Sequence, residues 1–269
     1  MAFACKSEPP TPTDIPMTDG RPAETDKRIL ELFTGDLDAL AERGTIRVLV
    51  APSRTLFTFT RGVYFGRMVD VAVMFERFVN RRIAPRTIRV VLIPTPELAM
   101  VGDLTRGQGD IAANLRRTFE RDDQVAFATP WRTGVREIIV TGPGVKPLVS
   151  LEDAGGRTIH VWRNSDHYTS LVRLNDQLKK IDRPPATIVA ADVQHTDEDL
   201  LELVNSGTLP ATVVDDYIYE MWGTTFAKTA ANRDVAISQD GEIAWTTRKD
   251  APQLLALMNA FFAAYRLTF

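Results

Sequence analysis

Apolar and polar positions along this chain switch between two periods, and the order of the switches sketches an architecture. "TIRVLV" (Thr45–Val50) is a β-rich run closed by Ala51, Pro52 and Ser53. Met68, Ala72, Phe75 and Val79 then recur at i, i+4, i+7 and i+11, with Asp70, Glu76 and Arg77 elsewhere on the wheel, which predicts an amphipathic helix. "TIRVVLI" (Thr87–Ile93) is the next strand, stopped by Pro94 and Pro96. A helix over Glu97–Arg106 ends at Gly107, and "DIAAN" follows as a short strand. Strand, helix and strand at this spacing imply a parallel sheet with crossovers.

The pattern then restarts. "REIIVTG" and "RTIHVW" read as strands, "DHYTSLVRLNDQLKK" as a helix and "ATIVA" as a strand. "DEDLLELVNSG" is a helix with Asp197 as its expected N-cap and Gly207 just past its end. "ATVVDDYIYEMW" is a strand running into a helix. "EIAWTTR" and "APQLLALMNAFFAAY" close the chain, Pro252 fitting a first helical turn. There are thus two α/β units, with a last strand and helix left to return to the first. No repeat of solenoid period is present. Upstream, "DKRILELFTGDLDALAERG" alternates Ile29, Leu30, Leu32 and Phe33 with charges in helical fashion.

Composition narrows the class. Apolar content of 44% and charged content of 25% over 269 residues suit a globular chain, and the net charge of −3 argues against a general polyanion binder. The most apolar stretch, Ala251–Tyr265, falls short of the ~18 residues a bilayer span needs. Residues 1 to about 27 are rich in Pro, Thr and Asp and read as a flexible tether. Cys5, the single cysteine, follows "AFA", which looks like the end of a bacterial lipoprotein signal. Lipidation at Cys5 and anchoring to a membrane are the expectation there, with a stray cysteine in a tail as the alternative. His160, His167 and His195 show no metal spacing and no second cysteine exists, so neither a metal nor a cofactor is expected. The arginines of "RRTFER" lack interleaved aromatics, so no nucleic acid is expected.

"GDIAANLRRTFERDDQVAFATPW" (Gly109–Trp131) sets a polar loop and a helix start, at Thr118, Glu120 and Arg121, directly after a strand end. With Gly107, Asp110, Phe127, Pro130 and Trp131 in order, this stretch resembles the family 3 extracellular solute-binding proteins. "LVSLEDAGGRTIHVWRNSDHYTSL" continues the likeness, which covers about residues 44–265. More narrowly, "NLRRTFER", "EIIVTGPG", "LLELVNSGTLPATVVDDYIYEMW" and "GEIAWTTRK" look similar to the solute-binding domain of membrane-bound lytic transglycosylase F-like proteins.

The resemblance implies a periplasmic-binding-protein-like type II α/β fold, with two lobes joined by two hinge strands that close over a small ligand. It implies a tether over 1–27, a first lobe over 28–134 plus 233–269, and a second over 135–232. Arg121 is implied as the carboxylate anchor, a role a planar guanidinium suits. Asn114 is implied as a loop contact and Thr118 as the helix start. Ser165 and Asp166 are implied as an anion seat at a helix N-terminus, and Asp215 as the partner of a ligand ammonium. Two departures stand out. The first strand ends in Ala51-Pro52-Ser53-Arg54 without the usual acidic and aromatic residues, leaving Phe57 or Phe59 as the apolar wall. Arg116 stands where a small hydroxyl is usual, and its extra charge is expected to suit a ligand with a second acidic group.

The expected function is a periplasmic, membrane-anchored module that binds an amino acid, short peptide or peptidoglycan-derived muropeptide without catalysis. An ABC permease or a fused transglycosylase domain is its implied partner. The alternative is a regulatory domain of a lytic transglycosylase whose catalytic part lies outside this chain. A third expectation, a dehydratase on the same fold, would need Asp215 or Asp216 as acid or base.

Overall fold

The computed structural model describes Ile29, residues 31–60 and residues 63–265; from Leu32 onward the chain forms one unit. Cys5 and the predicted tether lie outside the described residues, as does the side chain of Phe59.

Three parallel strands start the sheet: β1 (Thr45–Val50) lies between β4 (Arg89–Pro94) and β5 (Ile111–Arg116). Both faces of this trio are covered, which explains why the strands read as near-continuous apolar runs. Ile46, Val48 and Val50 enter one core with Phe75, Trp245 and Phe261. Leu49 turns to the other face, with Met100, Leu104 and Ala112. The helices responsible are α2 (Arg67–Ile83) and the C-terminal α8 (Pro252–Tyr265) on one side, and α3 (Glu97–Thr105) on the other. Phe75 of α2 meets Trp245 and Phe261 edge-on, with ring centroids 5.4 and 5.1 Å apart.

One buried position in "TIRVLV" is charged. Arg47 is 0% exposed and is held by Asp110, also 0% exposed: Oδ1 accepts from Nη2 at 3.0 Å and Oδ2 from the Arg47 backbone N–H at 2.7 Å. Arg43, at the end of α1 (Leu37–Arg43), pairs with the same carboxylate. Asp110, one of the residues that carry the family resemblance, is therefore a structural counter-ion inside the first lobe.

Two long strands carry the sheet onward. β7 (Arg132–Thr141) and β11 (Ala230–Arg248) pair antiparallel between the trio and a second set, giving the order β4-β1-β5-β11-β7-β10-β8-β9 once β8 (Thr158–Val161), β9 (Thr187–Ala190) and β10 (Ala211–Asp215) are added. The short β6 (Val125–Phe127) pairs with β11 off this path, and β2 (Thr58–Thr60) and β3 (Val63–Phe65) form a separate hairpin. β8, β9 and β10 are parallel, and helix α5 (Asp166–Lys180) packs Leu171, Leu174 and Leu178 against Ile159 and Val213. Repeated register shifts between β7 and β11, from Ala231 to Ile243, bend the pair as it passes from one lobe to the other. The fold is thus two α/β lobes joined by two strands.

The remaining elements refine the sequence reading. "EIAWTTR" is the end of β11 and not a separate strand. The helical reading over Ile29–Phe33 does not extend to Leu32 and Phe33, which are non-helical, because the Phe33 N–H bonds the Gly107 carbonyl at 2.9 Å. Helix α6 (Asp197–Asn205) is capped by Thr196, not Asp197: Thr196 Oγ1 accepts from the Asp199 N–H, and Asp199 returns the bond to the Thr196 N–H. That leaves the Asp197 carboxylate free for the cleft.

Candidate functional site

The carboxyl ends of the parallel strands in both lobes point at one cleft, where open α/β sheets place ligands. From the first lobe, β5 delivers Asn114 and Arg116, the turn after β4 delivers Glu97, and the short α4 (Phe119–Asp122) delivers Arg121. From the second lobe, the turn after β8 delivers Trp162, Ser165, Asp166 and His167. β10 ends on Asp215, which leads into α7 (Asp216–Trp222), and α6 begins on Asp197. Asn114 within β5 and Asn164 in the turn after β8 adopt φ of 60° and 65°, a left-handed backbone that Asn tolerates.

These residues enclose a cavity of about 60 Å³. One water needs roughly 10–15 Å³ on that measure, so the space holds a few waters or a very small group. The lobes meet directly across it. Arg121 Nη1 donates to Asp166 Oδ2 at 2.8 Å and to the Arg116 carbonyl at 2.6 Å. Arg116 Nη2 pairs with Asp215 Oδ1, and its Nε lies 3.4 Å from Glu137 Oε1. A Cβ built at Gly241 would overlap Arg116 Nη1, so the absent side chain at 241 makes the bed in which this guanidinium lies. Beyond the cavity, Glu198 Oε1 accepts from Ser53 Oγ at 2.7 Å and Thr55 Oγ1 at 2.6 Å, and Trp222 Nε1 donates to Thr55 Oγ1 at 2.7 Å. The unusual end of the first strand is therefore a clasp onto the second lobe.

Each expected cleft residue within the described part has a definite place. Asn114, Arg116, Ser165, Asp166 and Asp215 line the cavity together. Arg121 stands behind Asp166 and already grips a carboxylate, that of the protein. Thr118 caps α4, accepting from the Arg121 N–H at 3.3 Å. Ser165 caps α5, accepting from the Tyr168 N–H at 3.1 Å. Asp215 occupies a cap position yet makes no cap bond, because its carboxylate is spent on Arg116 and His167. Phe57 is 1% exposed and stacks on Tyr64 in the core, so it forms no part of the cavity lining. The extra charge of Arg116 is neutralised by Asp215 and Glu137, which removes the reason for expecting a second acidic group on the ligand.

Sequence reasoning missed Glu97, His167, Asp197 and Tyr217. His167 and Asp197 carried no signal of their own, because polar residues are common in the first turn of a helix. Ligand-type atoms of Glu137, His167 and Asp215 come within 4.8 Å of one another, the kind of grouping that holds a metal. Arg116 contacts both carboxylates, so the positive charge that this group calls for is supplied by the chain itself.

The electrostatics follow from burial and pairing. Burial opposes the charge on His167, but Asp215 at 3.5 Å, with Glu137 and Asp197 nearby, outweighs it and raises the imidazole to about 10. Burial lifts Asp197 to about 8 against the pull of His167. Burial also pushes Asp215 up, yet Arg116 and His167 win and hold it below the usual carboxylate range. Relative to an unfolded imidazole at 6.5, the His167 contribution is complete below pH 6.5 and is lost as pH rises through about 10. Asp197 adds a penalty that grows from pH 3.8 to about 8, where the unfolded chain has released a proton the folded one keeps. The denaturation midpoint is expected to fall steadily on the alkaline side of neutrality, and His167→Gln should flatten the upper part of that fall. A midpoint unchanged between neutral pH and pH 10 would contradict the assignment.

With this geometry in view, the relatives can be compared. No protein-family model matches the chain. An ancestral arginine-binding protein bound to arginine superposes with a TM-score of 0.65 at 21% identity, covering 82% of this chain and 92% of that one. An amino acid ABC transporter substrate-binding protein, AbpA from Streptococcus pneumoniae bound to L-arginine, superposes with a TM-score of 0.68 at 16% identity, covering 85% and 91%. The fold is that of the type II periplasmic binding proteins. In sequence, the membrane-bound lytic murein transglycosylase F of Saccharophagus degradans is 28% identical over 141 residues, 52% of this chain and 26% of that protein. The chain thus matches about a quarter of that relative's length. Among the described residues no helix is long and apolar enough to cross a membrane.

Proposed function

We propose that this type II binding fold is a periplasmic solute-binding module that closes over a small carboxylate-bearing ligand, an amino acid or short peptide including muropeptides, without catalysing a reaction. The observation that carries the reading is a set of buried polar atoms lacking partners on both sides of the cavity: Asn114 Oδ1 from the first lobe, Trp162 Nε1 and Asp197 Oδ1 from the second. Buried polar groups in proteins are nearly always hydrogen-bonded, so a cavity ringed by orphans calls for an occupant that bridges the lobes. The ligand carboxylate takes the place of Asp166 on Arg121, and its donors reach Asn114 and Asp197. Solved proteins of the same fold bind arginine, which supports a polar, amino-acid-class ligand admitted as the lobes part and the Arg121–Asp166 contact opens. In this reading the lobes divide as 28–134 plus 233–269 and 135–232, and lipidation at Cys5 anchors the module.

The test is thermal unfolding in the presence of amino acids, short peptides and muropeptides. A ligand that binds only the folded state raises the midpoint by RT ln(1 + [L]/Kd), about 2.7 kcal/mol at a hundredfold excess over Kd. Absence of a shift from all three classes would overturn the proposal.

The partial match to a lytic transglycosylase favours a second reading, a regulatory lobe beside a catalytic domain outside this chain. Reading the gene beyond the codon for Phe269 decides it: a following transglycosylase domain supports this role, and a stop codon ends it.

The departure at Arg116 has its own expected result. In Arg116→Ala, Glu137 and Asp215 keep only His167 as a nearby cation, so about 3 kcal/mol of stability should be lost. Millimolar guanidinium chloride, but not sodium chloride, should restore part of it by refilling the bed at Gly241. Equal behaviour in the two salts would show that Arg116 is no internal cation.

A further inference from the structure

Away from the cleft, one stretch of surface stands apart in charge. Arg77, Arg81, Arg82, Arg86 and Arg89 lie at the C-terminal end of α2 and the start of β4, and all are exposed. Several arginines elsewhere are matched to acids: Arg54 to Glu202, Arg117 to Asp122, Arg136 to Asp216 and Arg233 to Glu220. None of the arginines in this stretch forms an ion pair among the described residues. Arg81 donates to the Tyr265 hydroxyl at 2.7 Å, and Arg82 lies 3.5 Å over the Phe78 ring. The acidic residue of the stretch, Glu76, is turned away to accept from the Val90 N–H at 2.7 Å. A chain of net charge −3 has thus left a patch of uncompensated positive charge in one place.

Its position is informative. Helix α2 runs back against the parallel strands, so its C-terminal end sits at their amino-terminal edge, beside Arg89 and its sheet partner Thr45. The cleft lies at the opposite, carboxyl-terminal edge, about 20 Å away for a strand of this length. The chain enters the unit at the same edge as the patch, where the Phe33 N–H bonds Gly107 just ahead of β5. A surface bound by the patch would leave the cleft mouth facing away from it.

We propose that this arginine patch seats the domain on an anionic lipid surface, its guanidinium groups binding phosphate headgroups. Guanidinium forks match phosphate oxygens, and each arginine held near an anionic leaflet adds a comparable increment to the attraction. The patch also adds an electrostatic contact that orients the domain beside the lipid proposed at Cys5.

The experiment is co-sedimentation of the full, unacylated chain with vesicles of phosphatidylcholine, alone or mixed with phosphatidylglycerol. Binding is expected to the mixed vesicles only and to weaken as ionic strength rises. The variant Arg77→Gln, Arg81→Gln, Arg86→Gln, Arg89→Gln should partition ~100-fold more weakly, at about fivefold per arginine before saturation. Its unfolding midpoint should stay close to that of the parent, since none of these side chains is buried. Equal binding to both vesicle types, or parental binding by the variant, would overturn the proposal. Displacement by millimolar inorganic phosphate would overturn it in favour of a small-anion pocket. Equally strong binding to polyglutamate would overturn it in favour of an acidic protein surface. These outcomes are separate from the ligand screen, since the patch and the cleft share no residue.

Discussion

Asp110→Asn is expected to lower stability by about 3–5 kcal/mol, the usual cost of removing one partner from a buried ion pair. Arg47 would remain at 0% exposure with its charge uncompensated and its backbone N–H without the Oδ2 it now bonds at 2.7 Å. For a chain of this size that corresponds to a fall in the thermal midpoint of roughly 10 °C. The double variant Arg47→Met, Asp110→Leu removes the fully buried pair at similar volume and should recover part of the loss, Arg43 being left without its carboxylate. Denaturant unfolding of the parent, the single and the double variant measures both. A single variant within about 0.5 kcal/mol of the parent would show that the Gly107 and Phe33 carbonyls are enough to hold Arg47.

Arg121→Ala is expected to reduce affinity for the ligand found by thermal screening at least ~100-fold, since a bidentate charge-assisted contact is lost. The ligand-free protein should be nearly unaffected. Arg121 is partly exposed, and the groups it releases, Asp166 and the Arg116 carbonyl, sit at the mouth of a polar cavity. Arg121→Lys should recover little, because an ammonium replaces a planar fork with a point charge. Isothermal titration separates the cases. Affinity unchanged in Arg121→Ala would move the anchor elsewhere in the cavity, with Arg116 the next to test. The complementary variant, Asp166→Asn, removes the internal competitor for Arg121 and should strengthen binding.

Much of the fold was legible in the sequence because burial on both faces writes itself into a strand. Ile46 to Val50, Ile111 to Ala113 and Ala211 to Val214 could not have been exposed at that apolar density. The helices showed their caps, Thr118 and Ser165 among them, since satisfying free N–H groups is a local demand. The misreadings were likewise local. Asp197 and Thr196 are both able to cap, and only the reciprocal Thr196–Asp199 bonds tell them apart. Phe57 leaves the cleft because it stacks on Tyr64, an arrangement that depends on the hairpin formed by Thr58–Thr60 and Val63–Phe65.

The sequence by itself determined the two-period order of strands and helices, the return of the last helix to the first lobe, and the kinds of groups at the cleft. Those are properties of neighbours a few residues apart. Which charge meets which was decided only by the tertiary structure. Arg116 and Asp215 are far apart in the chain, as are Arg121 and Asp166, and no local pattern pairs them. Their meeting depends on β7 and β11 bringing two lobes together, and on the missing side chain at Gly241. Each ion in the cleft therefore takes its meaning, ligand seat or internal counter-ion, from a partner on the other lobe.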